Sequence, residues 1–259
     1  MGINKKHSEV MDMNYEIVGL SDIGLKRKMN QDAVFWSKNE DMAICVVADG
    51  MGGHNSGEVA SNVIKQAVSR CWDIFKISMN SLNLHSMITT LKRELEKENS
   101  VLYQEYCEKG ICGSTFVILM CFKGQFGILS AGDSRIYLKR GFSFMQITED
   151  EVWENQAYLS DTERADMKHP NRGKLVNAFG SKSELQMRVK MSVLENKDTF
   201  LLCSDGLYKM CSERKISAAM KKARKGGDNM KSALIELRNE TEESGATDNF
   251  SIVLLKVSE

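Results

Sequence analysis

A single proline, Pro170, stands in 259 residues, where average usage near 5% would give roughly a dozen. That scarcity excludes a Pro-rich linker or recognition tail. Net charge is also missing: 35 Lys and Arg offset 35 Asp and Glu, so no basic surplus supports nucleic-acid binding. No apolar run reaches the ~18–20 residues of a membrane span. The longest, such as residues 116–122, have strand length. The opening Met1-Gly2-Ile3-Asn4-Lys5-Lys6 has no signal-peptide apolar region, and Lys6 stands where a myristoylation signal needs Ser or Thr. A cytoplasmic protein with no membrane contact is expected. The seven cysteines form no Cys-x-x-Cys pair, and the four histidines have no zinc spacing. Reduced thiols packed as small hydrophobes are the expectation.

What is present is an ordinary globular composition, 42% hydrophobic and 27% charged. Short apolar, β-branched runs predict strands at 15–20, 33–37, 42–48, 114–122, 125–130, 135–139, 199–203 and 250–257. Several are apolar almost without interruption, which implies burial on both faces. Apolar residues at helical spacing predict helices at 57–76, with Asn55 or Ser56 as N-cap, and at about 84–109, 213–224 and 228–243. Gly226-Gly227 separates the last two. This order gives an α+β layered domain. With no composition break or repeat, one domain over 1–259 is expected, its core at about 15–257. The polar stretch at about 150–182 is either a surface excursion or a mobile flap beside a site.

Three buried strands run into an aspartate, at Asp49-Gly50, Asp133-Ser134 and Asp205-Gly206, and a fourth is entered through Asp248-Asn249. Each alone reads as a turn. Together, if the last strand runs opposite to the others, they gather at one sheet edge. Unpaired carboxylates that close resist ionising, and short, stiffly held oxygen ligands suit Mg²⁺ or Mn²⁺ better than Zn²⁺. Gly50 would let its backbone carbonyl approach a metal. The loop of residues 21–32 carries Lys26, Arg27 and Lys28. It is either a solvated hairpin or an anion cradle with one arginine on a phosphate.

Seven segments then match a family in order: Ser21-Asp22-x-Gly24-x-x-Arg27-x-x-Asn30-Gln31-Asp32; Val47-Ala48-Asp49-Gly50-Met51-Gly52-Gly53-His54 with Gly57-Glu58-x-Ala60-Ser61; Gly113-Ser114-Thr115; Ala131-Gly132-Asp133-Ser134-Arg135; Asn177-Ala178-Phe179-Gly180; Leu202-Cys203-Ser204-Asp205-Gly206-Leu207; and Ala246-Thr247-Asp248-Asn249. From about Tyr15 to Val257 the chain resembles the metal-dependent serine/threonine protein phosphatases of type 2C (the PPM family), bacterial single-domain type. The resemblance implies a four-layer α-β-β-α sandwich of two mainly antiparallel sheets flanked by helices. It implies two tightly bound Mn²⁺ or Mg²⁺ ions bridged by Asp49, with the Gly50 carbonyl on one and Asp205 and Asp248 on the other. Asp133 with Asp205 would hold a third, weaker metal. Arg27 would bind the phosphate, and Asp32 would order the first loop and the metal waters. A metal-activated water would hydrolyse phosphoserine or phosphothreonine without a phosphoenzyme intermediate. The partners implied are phosphoproteins and a cognate Ser/Thr kinase, and a monomer is expected.

Three positions depart from the family pattern: Gln31 where Glu is frequent, Met51 where eukaryotic members carry His, and Glu151 in place of a His before the flap. His54 reads as a loop residue at the helix start rather than a general acid. Two other readings stand beside a general reverser of a kinase. One is a weak or inactive phosphatase-fold binding module. The other is a dedicated phosphatase for one phosphoserine switch protein. A nucleotide loop at 50–57 is excluded, because it lacks Gly-Lys-Ser/Thr and dinucleotide glycine spacing.

Overall fold

A computed structural model describes residues 13–52, 56–106 and 112–259. The strands are β1 (Asn14–Asp22), β2 (Asp32–Lys38), β3 (Met42–Gly52), β4 (Cys112–Phe122), β5 (Gln125–Ala131), β6 (Arg135–Arg140), β7 (Ser143–Gln146), β8 (Arg188–Val193), β9 (Thr199–Cys203) and β10 (Phe250–Ser258). They form two five-stranded sheets, ordered β1-β10-β9-β6-β7 and β2-β3-β4-β5-β8, with every pairing antiparallel. The helices are α1 (Ser56–Ser78), α2 (Leu84–Glu105), α3 (Asp161–Ala165), α4 (Asp205–Tyr208), α5 (Glu213–Ala223) and α6 (Asp228–Glu243).

Side-chain alternation explains the uninterrupted apolar runs. On β3, Ala43, Cys45 and Val47 face β9 and β10 through Phe200, Leu202, Val253 and Leu255. Ile44, Val46 and Ala48 face α1 and α2 through Ile64, Val68, Leu91 and Leu95. On the far side, Leu201, Cys203, Ile252 and Leu254 pack on Ile216, Met220, Ala233 and Leu237 of α5 and α6. Helix, sheet, sheet, helix is the layer order, as the resemblance implied. A one-residue slip of β3 would exchange its two faces, but both are apolar, so register rests on the strand ends. α2 starts on a capping box, with Asn83 and Ser86 exchanging side-chain-to-backbone bonds.

The boundaries differ from the sequence reading in instructive places. β3 runs on to Gly52 instead of stopping at Ala48, because β4 begins at Cys112 and pairs with it throughout. Asp49 therefore lies inside a strand, opposite Asp32 on one side and Thr115 on the other. Asp205 opens the single turn of α4. β7 and β8 were not among the expected strands, although Val189, Met191 and Val193 alternate with polar residues along β8. β8 is exposed at all six positions, an edge strand carrying Arg188 and Lys190 of the kind that resists edge-to-edge pairing. Ser56 is the first residue of α1, so the expected cap at Asn55, like Gly53, His54, Cys107 and the first twelve residues, lies outside the described residues. The six described cysteines are all buried.

The stretch 150–182 holds a 3-10 turn at Trp153–Asn155 and the short α3. Its return end is anchored: Phe179 is fully buried and exchanges both backbone bonds with Ser114 at 2.9 Å. Among the described residues no helix is long and apolar enough to cross a membrane.

Candidate active site

The antiparallel pairing of β9 with β10 sets Asp205, just past one strand, beside Asp248, just before the other. β6 pairs β9 on its other side with Arg135 opposite Cys203, which brings in Asp133. Asp49 comes from the facing sheet. Arg27, Asp49, Gly50, Asp133, Asp205 and Asp248 all line one cleft of about 250 Å³. Six of the seven residues singled out in the sequence thus meet, and Asp32 lies just behind them.

Asp32 is buried and accepts a bond from Ser204 Oγ at 2.7 Å, and Ser204 Oγ accepts the Ser251 N–H at 2.9 Å. Its carboxyl thereby clamps the two sheets together at the floor of the cleft. The loop of residues 21–32 is tied by another side chain, Asn249. Its amide donates to the carbonyls of Ile23 and Met29 at 2.9 Å each, and its Oδ1 accepts the Gln31 N–H at 2.9 Å. Asn249 was in view as the last letter of the Ala-Thr-Asp-Asn segment, but nothing in its spacing pointed to three bonds across 218 or more positions.

Gly50 is demanded by packing. A Cβ there would lie 2.3 Å from the Gly57 carbonyl and 2.5 Å from that of Gln31. The start of α1 therefore sits directly on the strand beside Asp49. Gly50 also donates its N–H to Gln31 O at 3.2 Å, and Ser61 Oγ donates to the same oxygen at 2.6 Å. Met51 lines the cleft and lies where a side chain on Gly113 would collide with it.

Electrostatics mark the cleft. Burial, then Asp32, Asp205, Asp133 and Asp248, hold the Asp49 carboxyl well above its ordinary value. Burial first, and then Asp205, push Asp133 up to about 6, against Lys209 and Tyr208. Asp32 is pushed up to about 7, mainly by burial. Such shifts express the cost of gathering negative charge away from water.

Two internal cations answer part of that charge. Arg27 Nη2 donates to Asp248 Oδ2 at 2.6 Å, and Lys209 Nζ to Asp205 Oδ2 at 2.5 Å. Among the described residues no three His, Cys, Asp or Glu side chains stand close enough together to hold a metal ion. The cross-pairing accounts for this: Asp205 and Asp248 are turned to the protein's own cations. In donor chemistry the cleft nonetheless fits hard divalent cations, offering carboxylates and a backbone carbonyl on strand ends.

Glu151 was noted only as a departure. Its Oε2 accepts from the Gly132 N–H at 3.0 Å and from Asn177 Nδ2 at 2.6 Å, and its Oε1 from Arg188 Nε at 3.0 Å. Its own N–H donates to Gly132 O at 3.0 Å. The flap is thus fastened to the turn that carries Asp133. Beside it, Asp150 takes a two-pronged bond from Arg135, the shortest contact being 2.6 Å. A larger cavity of about 570 Å³ lies under the flap, but its acids are engaged: Asp150 by Arg135, Glu149 by Arg188, and Glu154 by the Gly173 N–H.

Oxygen donors for hard cations beside a guanidinium for an anion are the equipment of metal-assisted phosphoester hydrolases. The protein phosphatase 2C family profile matches residues 25–238. The chain is 30% identical to the serine/threonine phosphatase stp of Listeria welshimeri, over 91% of this chain and 93% of the relative. It is 29% identical to the protein phosphatase PhpP of Streptococcus pneumoniae, over 94% and 98%. The solved catalytic domain of the serine threonine protein phosphatase PstP, in complex with 2 manganese ions, superposes with a TM-score of 0.77 at 25% identity, covering 95% of this chain and 100% of that one. The chain belongs to the protein phosphatase 2C family.

Proposed function

We propose that this cleft hydrolyses phosphoserine and phosphothreonine in proteins, using two divalent cations. The chain is a metal-dependent serine/threonine phosphatase by its family and relatives. Carrying the finer reading is one observation: four aspartates from four segments and Arg27 line a single cleft. Asp49, the Gly50 carbonyl, Asp205 and Asp248 are the residues that would hold the cations, with Asp49 common to both. Bound there, the cations would supply a nucleophile at neutral pH and offset charge on the phosphoryl oxygens.

The chain's own groups do the rest. Arg27 offers a planar guanidinium at the cleft mouth, suited to two phosphoryl oxygens at once. Asp32, through Ser204, and Asn249 fix the strand ends that carry Asp205 and Asp248. Among the described residues, those lining the cleft include no Ser, Cys or His, and their one side-chain hydroxyl, Thr115 Oγ1, is bonded to Ser134 Oγ at 2.7 Å. That favours direct attack by water over a phosphoenzyme. We read the domain as a monomer, since this chain alone supplies the four aspartates, Arg27 and the flap residues Gly173 and Leu175 of the cleft. The phosphoserine or phosphothreonine consumed must be made by a protein kinase that transfers phosphoryl groups to hydroxyls, and we assign that partner reaction to a Ser/Thr kinase. A binding module without catalysis finds no support, since all four aspartates are retained.

The test is a phosphopeptide panel with Mn²⁺ titration. Phosphothreonine or phosphoserine peptides should be hydrolysed only with Mn²⁺ or Mg²⁺, and Asp49→Asn should lose metal binding and at least about 10³-fold in rate together. Hydrolysis persisting in excess chelator would overturn the metal reading. Cleavage of a single phosphoserine sequence alone would point to a dedicated substrate.

A further inference from the structure

The two sides of the cleft are not equivalent. On the Arg27 side, the positive charge reaches Asp248 across 221 positions from an exposed loop. On the Asp133 side, it is built into the same helical turn as its carboxylate. Lys209 follows α4 immediately, four residues after Asp205, and its Nζ sits 2.5 Å from Asp205 Oδ2. The backbone reinforces the arrangement, with the Lys209 N–H bonded to Asp205 O at 3.0 Å. Burial opposes the ammonium charge, but the bond to Asp205 and the fields of Asp205, Asp133 and Asp49 hold it above its ordinary value.

The preceding residue attends to the other carboxylate. Tyr208 Oη donates to Asp133 Oδ2 at 3.1 Å. Its ring lies against the Arg135 guanidinium, 3.6 Å from the ring centroid, and Arg135 is itself pinned on Asp150. Consecutive residues, Tyr208 and Lys209, therefore supply a hydroxyl donor to Asp133 and an ammonium to Asp205. A divalent ion between those two carboxylates would compete with both donors for the Oδ2 atoms. It would then sit beside the Lys209 ammonium, whose Cα lies one turn after that of Asp205. Like charges at that separation repel strongly even in a partly solvated site.

Building on the two-cation reading above, we propose that Lys209 is the resident cation of the Asp133–Asp205 side of the cleft. Lys209 takes the place of a third metal ion and confines divalent cations to the side formed by Asp49, Gly50, Asp205 and Asp248. Its ammonium is a positive charge that the chain itself supplies. Lys209 is thus a positioning residue, setting how many ions the cleft accepts and where.

The experiment is Mn²⁺ binding to the free protein, by calorimetry and by the loss of the free Mn²⁺ paramagnetic signal, with no substrate present. The wild type should bind two ions. Lys209→Met, which keeps the length and removes the charge, should bind a third, at least tenfold weaker than the first two. Adding Asp133→Asn to Lys209→Met should abolish that third ion, whereas Lys209→Arg should keep the count at two. If Lys209→Met does not fold, Lys209→Gln gives the same readout. Three ions on the wild type, or an unchanged count when the charge is removed, would overturn the proposal. Failure of the underlying reading looks different: no Mn²⁺ on the wild type, or full binding to Asp49→Asn.

Discussion

Between the two sheets, Val47, Phe200, Leu202 and Val253 are wholly withdrawn from water. The flap of residues 150–182 has its return end buried at Phe179, but the rest of it docks largely through polar atoms, chiefly the Glu151 carboxylate and the Arg135–Asp150 pair. The first region is held by non-directional burial spread over many side chains, which tolerates exchange of one apolar residue for another. The second depends on directional bonds whose loss leaves partners unsatisfied. The cleft lies where the two meet: Asp49 belongs to a core strand, while Gly173 and Leu175 of the flap complete its wall. Rigid placement of the carboxylates is thereby separated from the contacts that shape access to them.

That contrast can be broken by measurement. Phe200→Ala should cost roughly 3–5 kcal/mol in global stability, as large-to-small core changes do, read as a lower denaturant midpoint. Next in size is a pH effect at the junction. Asp32 and Asp133 are pushed up to about 7 and about 6, mainly by burial, from an ordinary value of 3.8. Raised carboxyl values mean that the folded state binds more protons, so their contribution is fully present below about pH 4 and is lost as pH climbs through 6 and 7. Without metal, stability should fall as pH rises from about 4 to about 7, and Mn²⁺ should flatten the fall. A metal-free curve that rises with pH would contradict the charge-crowding picture. Smallest globally is Glu151→Ala. It should shift the unfolding midpoint by less than about 1 kcal/mol while hydrogen exchange in residues 150–182 accelerates. If it destabilised the whole protein as much as Phe200→Ala, the flap would have to be counted as part of the core.

Legibility in the sequence followed the same division. Uninterrupted runs such as Ile118-Leu119-Met120 could be read as strands because both of their faces are buried. The periodic stripe of α1 was equally plain. The four aspartates could be gathered on paper because strand direction alone decides whether Asp205 and Asp248 become neighbours. β8 escaped the sequence reading although Val189, Met191 and Val193 alternate along it; the run is short and lies among charged residues, and all three side chains stay exposed. The extension of β3 through Asp49 was hidden because Asp-Gly is also a turn signal, and only the length of β4 decides between them. Glu151 was visible as an oddity of composition, but its three acceptor contacts, to Gly132, Asn177 and Arg188, come from separate parts of the chain. Lys209 carries no sequence signal of its own, since a lysine four residues after an Asp-Gly is ordinarily a solvated surface group.

The bond between Arg27 and Asp248 carries a consequence for the order of events. As the chain stands, the arginine suited to phosphate is latched onto a carboxylate suited to a cation. On the proposed reading, a cation that claimed Asp248 would open the latch and free Arg27 for a phosphoryl group. Linkage would make the effect reciprocal: phosphate on Arg27 would leave Asp248 free and tighten the cation by the same factor. Metal and phosphate would then be cooperative ligands, and inhibition by product phosphate should grow stronger as the metal concentration rises.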